Sequence, residues 1–154
     1  MTDTTMETRI RDIVVEEVFP HGREPIWRVL TSGELMGRWL MAPTGFEAIP
    51  GCEFTMQTTP AGSWDGVIHC RVLEVVAGEG LVFAWKGGHE ANVGYGAPLD
   101  TVVTFTLDAA EGGTRLRLVH SGFVMPRNES AYTGMSEGWT KVVGTVGAMA
   151  GDLH

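Results

Sequence analysis

Residues 126–151 read PRNESAYTGMSEGWTKVVGTVGAMAG, and this stretch decides the fold. Met135, Trp139, Val142, Val143, Val146, Met149 and Ala150 fall at helical spacing along one face. The pattern predicts a long amphipathic C-terminal helix. Five glycines, from Gly134 to Gly151, interrupt it. Each interior one weakens a helix by roughly 1 kcal/mol relative to Ala. Such a helix forms only when a partner surface holds it.

That surface is written in the residues before it. Segments 52–58, 66–76, 81–86, 101–107 and 114–121 read as strands, with 44–48 a weaker candidate. Pro50-Gly51, Pro60-Ala61-Gly62, Gly78-Glu79-Gly80 and Glu111-Gly112-Gly113 separate them as turns. Links this short imply antiparallel neighbours, since a parallel pair needs a long crossover. Residues 87–98 are the exception, with Gly87, Gly88, Gly94 and Gly96 in a segment too long for a tight hairpin. Both a lid and a plain loop suit it.

Upstream, residues 10–19 read as a first strand, with Ile13, Val15 and Phe19 on one face and Val14 and Val18 on the other. Residues 25–30 then take helical period, Pro25 suiting the first turn. Ser32 can cap a second short helix over 34–39. The order is β-α-α-β6-α. It predicts an α+β domain in which a curved antiparallel sheet of about seven strands wraps the C-terminal helix and encloses an apolar space. Residues 1–9 read as a loose leader and 10–154 as a single domain.

The 154 residues are 44% hydrophobic and 19% charged, a globular composition. Eleven basic residues against 19 acidic ones give a net charge of −8. That balance argues against nucleic acid and acidic membrane surfaces as partners. No apolar run is long enough to span a membrane, and the polar N-terminus lacks a secretory signal, so a cytoplasmic location is expected.

The candidate chemistry is sparse. Leu116, Leu118 and His120 share a strand face, while Arg115 and Arg117 take the other. His120 is therefore expected on the concave face, as a satisfied core histidine or as a ligand or proton contact. His69 alternates in a strand whose two faces are equally apolar. His21, His69, His89, His120 and His154 are scattered, so no metal site is expected. Cys52 and Cys70 read as buried thiols; if Ala61 centres their hairpin they face each other, and a redox pair is conceivable. Trp39, Phe54, Phe83, Trp85, Phe105 and Trp139 are candidates for a cavity wall or for plain core. No nucleophile elbow, phosphate loop or dinucleotide fingerprint appears, and no cofactor is called for. Glu53, Asp65 and Glu74 are carboxylates without a partner fixed by spacing.

Several segments together resemble a known superfamily. They are Glu24-Pro25-Ile26-Trp27-Arg28-Val29-Leu30-Thr31, then Leu35 with Arg38-Trp39, Pro50-Gly51, residues 66–76 and Leu81-Val82-Phe83-Ala84-Trp85. Gly112-Gly113-Thr114-Arg115-Leu116, His120-Ser121-Gly122-Phe123 and Gly138-Trp139 complete the set. In order and spacing they resemble the START-like superfamily, also called Bet v 1-like or SRPBCC. The similarity is to the branch named after the activator of the Hsp90 ATPase. The resemblance implies the helix-grip fold with a pocket between sheet and helix. Cys52 stands where the branch often has a second Gly, and the 87–98 loop is longer than the branch pattern. Co-chaperone activators carry a further N-terminal domain with an Asn-Lys motif. This sequence shows neither, so an Hsp90-type chaperone is not an expected partner.

Three readings follow. The first is binding or sequestration of a small hydrophobic or aromatic ligand by Phe54, His69, Phe83, Trp85, Phe105, Leu118, His120, Trp139 and Val143. The second is a cyclase- or hydrolase-like enzyme using His120 as acid or base. The third is a chaperone-interaction module. An exposed strand edge or the glycine-rich helix also offers a surface for a homodimer.

Overall fold

The computed structural model describes residues 9–153. Residues 1–8 and His154 lie outside them, and with them most of the expected leader. Arg9, assigned to that leader, instead opens the first strand.

The elements in chain order are β1 (Arg9–Phe19), α1 (Arg23–Thr31), α2 (Gly33–Trp39), β2 (Pro43–Thr44), β3 (Glu53–Gln57), β4 (Val67–Val76), β5 (Gly80–Gly87), β6 (Leu99–Ala110), β7 (Gly113–Met125) and α3 (Glu129–Gly151). One seven-stranded sheet runs β1-β7-β6-β5-β4-β3-β2. Every pairing is antiparallel. This is the helix-grip arrangement that the element order predicts. The weak candidate at 44–48 shrinks to the two-residue β2.

Local chemistry explains the boundaries. The Ser32 hydroxyl accepts from the Leu35 amide at 3.2 Å and starts α2 as expected. The Trp39 indole donates to the Val29 carbonyl at 2.9 Å and locks the two short helices together. In β1, Ile13 and Phe19 are buried while Val14 and Val18 face outward, as alternation requires. An irregularity between Val72 and Glu74 gives β4 one extra residue opposite β5, so Leu73 and Glu74 both face outward and Val75 pairs with buried Leu81.

The Cys52–Cys70 pair that a hairpin centred on Ala61 makes conceivable is not formed; both thiols are free, Cys70 buried and Cys52 only half-buried. Phe54 lies opposite Cys70 and Glu53 opposite Arg71, so the hairpin centres on Gly62, not Ala61. The Val72 amide donates to the Cys52 carbonyl, which places Cys52 beside Val72. The Cys52 thiol donates to the Gly45 carbonyl at 3.1 Å. Burial pushes the Cys70 thiol up to about 12, which holds it protonated.

Helix α3 lies in the concave face, with Trp139, Val143, Val146, Gly147 and Ala150 buried. At Gly147 it packs directly on β1, where an added Cβ would run into the Phe19 ring. Gly147→Ala should therefore destabilise the fold by about 1–3 kcal/mol through overpacking, despite its better helix propensity. Urea denaturation checks this, and a rise in midpoint would show that Phe19 yields.

Candidate functional site

The residues around His120 form a continuous hydrogen-bonded polar group in the core. His120 has no exposed surface. The Trp139 indole donates to its Nδ1 at 2.9 Å, and its Nε2 lies 2.7 Å from Thr101 Oγ1. Trp has a donor and no acceptor, so Nδ1 must be unprotonated and Nε2 must carry the hydrogen. Nε2–H then donates to Thr101, whose hydroxyl donates to the Trp85 carbonyl at 2.9 Å. The chain of donors runs in one direction from α3 through β7 and β6 to β5. Burial pushes the imidazole down to about 3. Protonation would also forfeit the Trp139 bond. Both nitrogens are engaged, so His120 positions the helix and is not a free acid or base at a cavity wall.

Most of the other predicted residues also prove to be packing. Phe54 stacks on Phe83 at 5.6 Å, and Phe83 on Phe105 at 6.4 Å. Trp39 meets Phe105 edge-on at 5.8 Å. Leu118 and Val143 are fully buried within the same core. His69 is exposed on the convex face, opposite Thr55 and Lys86, because Ile68, Cys70 and Val72 take the inward positions. Phe54, His69, Phe83, Phe105, Leu118, His120 and Val143 thus do not line the cavity described next. Trp85 and Trp139 do.

That cavity, of about 320 Å³, lies between the N-terminal half of α3 and one end of the sheet. Its floor is Ile68 and Trp85, and one side is Leu40 and Met41 after α2. Thr58 and Trp64 from the β3–β4 hairpin form the rim with Tyr95, Gly96 and Ala97 of the long loop. Helix α3 roofs it with Ala131, Gly134, Met135, Gly138, Trp139 and Val142. Among the described residues, no charged side chain lines it. Exposed Ser130 and Gly134 mark the mouth.

Sequence reading missed Trp64 and Tyr95, whose rings meet at 5.7 Å. The available signal was an aromatic residue inside a turn or a glycine-rich loop, where neither can serve a strand core. Asn92 was missed too. Its Oδ1 accepts from the Ser63 amide at 3.0 Å, and its Nδ2 donates to the Ala61 carbonyl at 2.7 Å. Tyr95 donates to the Thr59 carbonyl at 2.8 Å. The long loop is thereby latched to the hairpin tip across the rim.

The sequence matches the family described as Activator of Hsp90 ATPase homolog 1-like protein over residues 20–148. The chain belongs to that family. Among solved structures, protein MLL2253 from Mesorhizobium loti is 33% identical, with a TM-score of 0.80 over 94% of this chain and 99% of that one. Protein BH1534 from Bacillus halodurans is 24% identical, with a TM-score of 0.71 over 94% and 99%. CalU16 from Micromonospora echinospora is 18% identical, with a TM-score of 0.68 over 94% and 85%, a likeness of fold. No match to a curated protein was found. The Hsp90-activator-like family shares the Bet v 1-type fold, and proteins of this fold often bind hydrophobic ligands. Among the described residues of this member, no helix is long and apolar enough to cross a membrane.

The His120 assignment makes a pH prediction. The imidazole takes up a proton near pH 6.5 when unfolded but near 3 when folded. Its contribution to stability is therefore complete above 6.5 and is lost as pH falls toward 3. The slope in that window is about 1.4 kcal/mol per pH unit. Urea midpoints measured down to about pH 5, before carboxylates titrate, should fall for the native protein and flatten in His120→Gln. An equal slope in both proteins would refute a neutral His120.

Proposed function

We propose that this protein holds one small hydrophobic, aromatic molecule in the cavity roofed by α3. The observation that carries this reading is the wall itself. Trp64, Trp85, Trp139 and Tyr95 surround an uncharged space of about 320 Å³. Ligand pockets begin at roughly 300 Å³ and are mostly apolar with few polar groups. The family's record of hydrophobic ligands points the same way.

Two residues of the roof support it further. A Cβ added at Gly134 or Gly138 would meet nothing within 4 Å. Packing therefore does not require glycine at either position. Both costs to helix propensity are borne where side chains would project toward the cavity or its mouth.

Gly138→Leu should weaken binding of an apolar fluorescent probe at least roughly tenfold by filling the cavity, while thermal stability holds or rises because glycine costs about 1 kcal/mol in a helix. Titration following probe emission reads the first effect, and a melting curve the second. Unchanged probe affinity would sink the cavity reading.

The latched loop 88–98 acts as the door in this reading. Asn92→Ala removes the bonds to Ala61 and Ser63, so stopped-flow mixing should show faster probe entry and faster release with a smaller change in affinity. Rates equal to those of the native protein would make the loop a fixed wall.

A further inference from the structure

The polar atoms of the cavity wall say what kind of aromatic molecule fits, an inference that rests on the binding role proposed above. Three indoles line the space. The Trp64 N–H donates to the Val67 carbonyl at 3.2 Å, and the Trp139 N–H to His120 at 2.9 Å. The Trp85 N–H has no acceptor among the described residues, although Trp85 is only 3% exposed. Among those residues, no side-chain nitrogen or oxygen is both sealed from solvent and unpartnered. The Trp85 N–H therefore reaches accessible space, and the space that Trp85 borders is the cavity.

Its ring is well held. It meets Trp139 edge-on at 5.9 Å and lies 5.1 Å from His120, while the Thr101 hydroxyl binds its own carbonyl at 2.9 Å. The Tyr95 hydroxyl is already committed to Thr59. The other side-chain donors on the wall are the hydroxyls of Thr58, on the rim, and Ser130, at the mouth. A ligand that displaces water from this N–H without supplying an acceptor orphans the donor at a cost, and a ligand that supplies the acceptor avoids it. Among the described residues, no cation faces the cavity to neutralise a carboxylate, and no carboxylate faces it to hold an amine. An ion entering would lose its hydration without a partner.

We propose that the ligand is an uncharged aromatic molecule bearing a hydrogen-bond acceptor, such as a carbonyl or ether oxygen, and that the Trp85 indole N–H is the group that reads this acceptor. The bond links the base of the cavity to the ligand, while Trp64 and Tyr95 supply ring contact at the rim.

Three matched probes test this: a naphthyl methyl ketone, the isopropyl hydrocarbon of the same shape, and naphthoate. Calorimetry on the native protein should show the ketone binding roughly three- to tenfold tighter than the hydrocarbon, the worth of one net hydrogen bond. Naphthoate should bind more weakly than either. Trp85→Phe keeps an aromatic ring and removes the donor, so it should erase the ketone's advantage over the hydrocarbon, a ratio read independently of any change in affinity common to both probes. Nitrogen–proton correlation spectra of the native protein give a second measurement independent of the variant's folding. There the Trp85 indole proton should move downfield with the ketone and not with the hydrocarbon. An unchanged ketone-to-hydrocarbon ratio in Trp85→Phe, or no downfield shift, would overturn the role of Trp85 while leaving hydrocarbon binding intact. Tighter binding of naphthoate would overturn neutrality. Absence of binding by all three would instead overturn the cavity function itself.

Discussion

The rest of this molecule depends on one hydrogen-bonded chain that runs from Trp139 through His120 and Thr101 to the backbone of Trp85. It crosses the dry centre and joins α3 to three adjacent strands. Each donor has one acceptor, and the direction is forced because an indole can only donate. In a low-dielectric interior a complete network of this kind specifies one arrangement, whereas removing a member orphans its neighbours at about 1–3 kcal/mol each. The chain also begins and ends on residues, Trp139 and Trp85, whose rings line the cavity. The contact that seats the helix is thus the same one that orients the site.

Helix α3 does two jobs along its length. Its C-terminal half is core: Val143, Val146 and Ala150 are buried, and Gly147 lets the backbone settle onto Phe19. Its N-terminal half is a roof, with exposed Gly134 at the mouth and Gly138 further in. The phenylalanine stack of β3, β5 and β6 fills the core and meets α3 through Phe105, whose ring lies 6.0 Å from Trp139. Beyond the stack the wall changes from Phe to Trp and Tyr, and the packing opens. A single grip therefore divides into a solid end that supplies stability and an open end that supplies function.

The fold was legible because its signals repeat. Alternation along β1 and β7, the helical stripe of α3 and the Ser32 cap each act within a few residues, and each is observed. Alternation also placed His120 inward. It could not say how deep a residue sits along its strand. Phe83 and Trp85 share a face two positions apart, yet one is core and the other borders the cavity. The face of His69 was undecidable from its equally apolar neighbours, and pairing with β3 and β5 turns it outward. The rim was illegible for a different reason. Asn92 reaches Ala61 across 31 positions of sequence, and Trp64 meets Tyr95 only because two separate turns close on each other. Such contacts have no period to read.

The glycines of α3 show where structure adds what spacing cannot. By propensity alone Gly138 and Gly147 are equivalent, each an interior defect of about 1 kcal/mol. The structure separates them. At Gly147 the Phe19 ring occupies the place of a side chain, so glycine is what close packing demands. At Gly138 nothing stands within 4 Å, so any small residue would fit and would strengthen the helix. A defect that packing does not require, at a position bordering an uncharged aromatic cavity, is best accounted for by the room it leaves. At Gly134 and Gly138 stability is given up where a side chain would compete with a ligand, and the His120 chain next to them holds the helix in register despite that loss. Gly144, away from the cavity, is equally unhindered, and nothing in the structure explains its glycine.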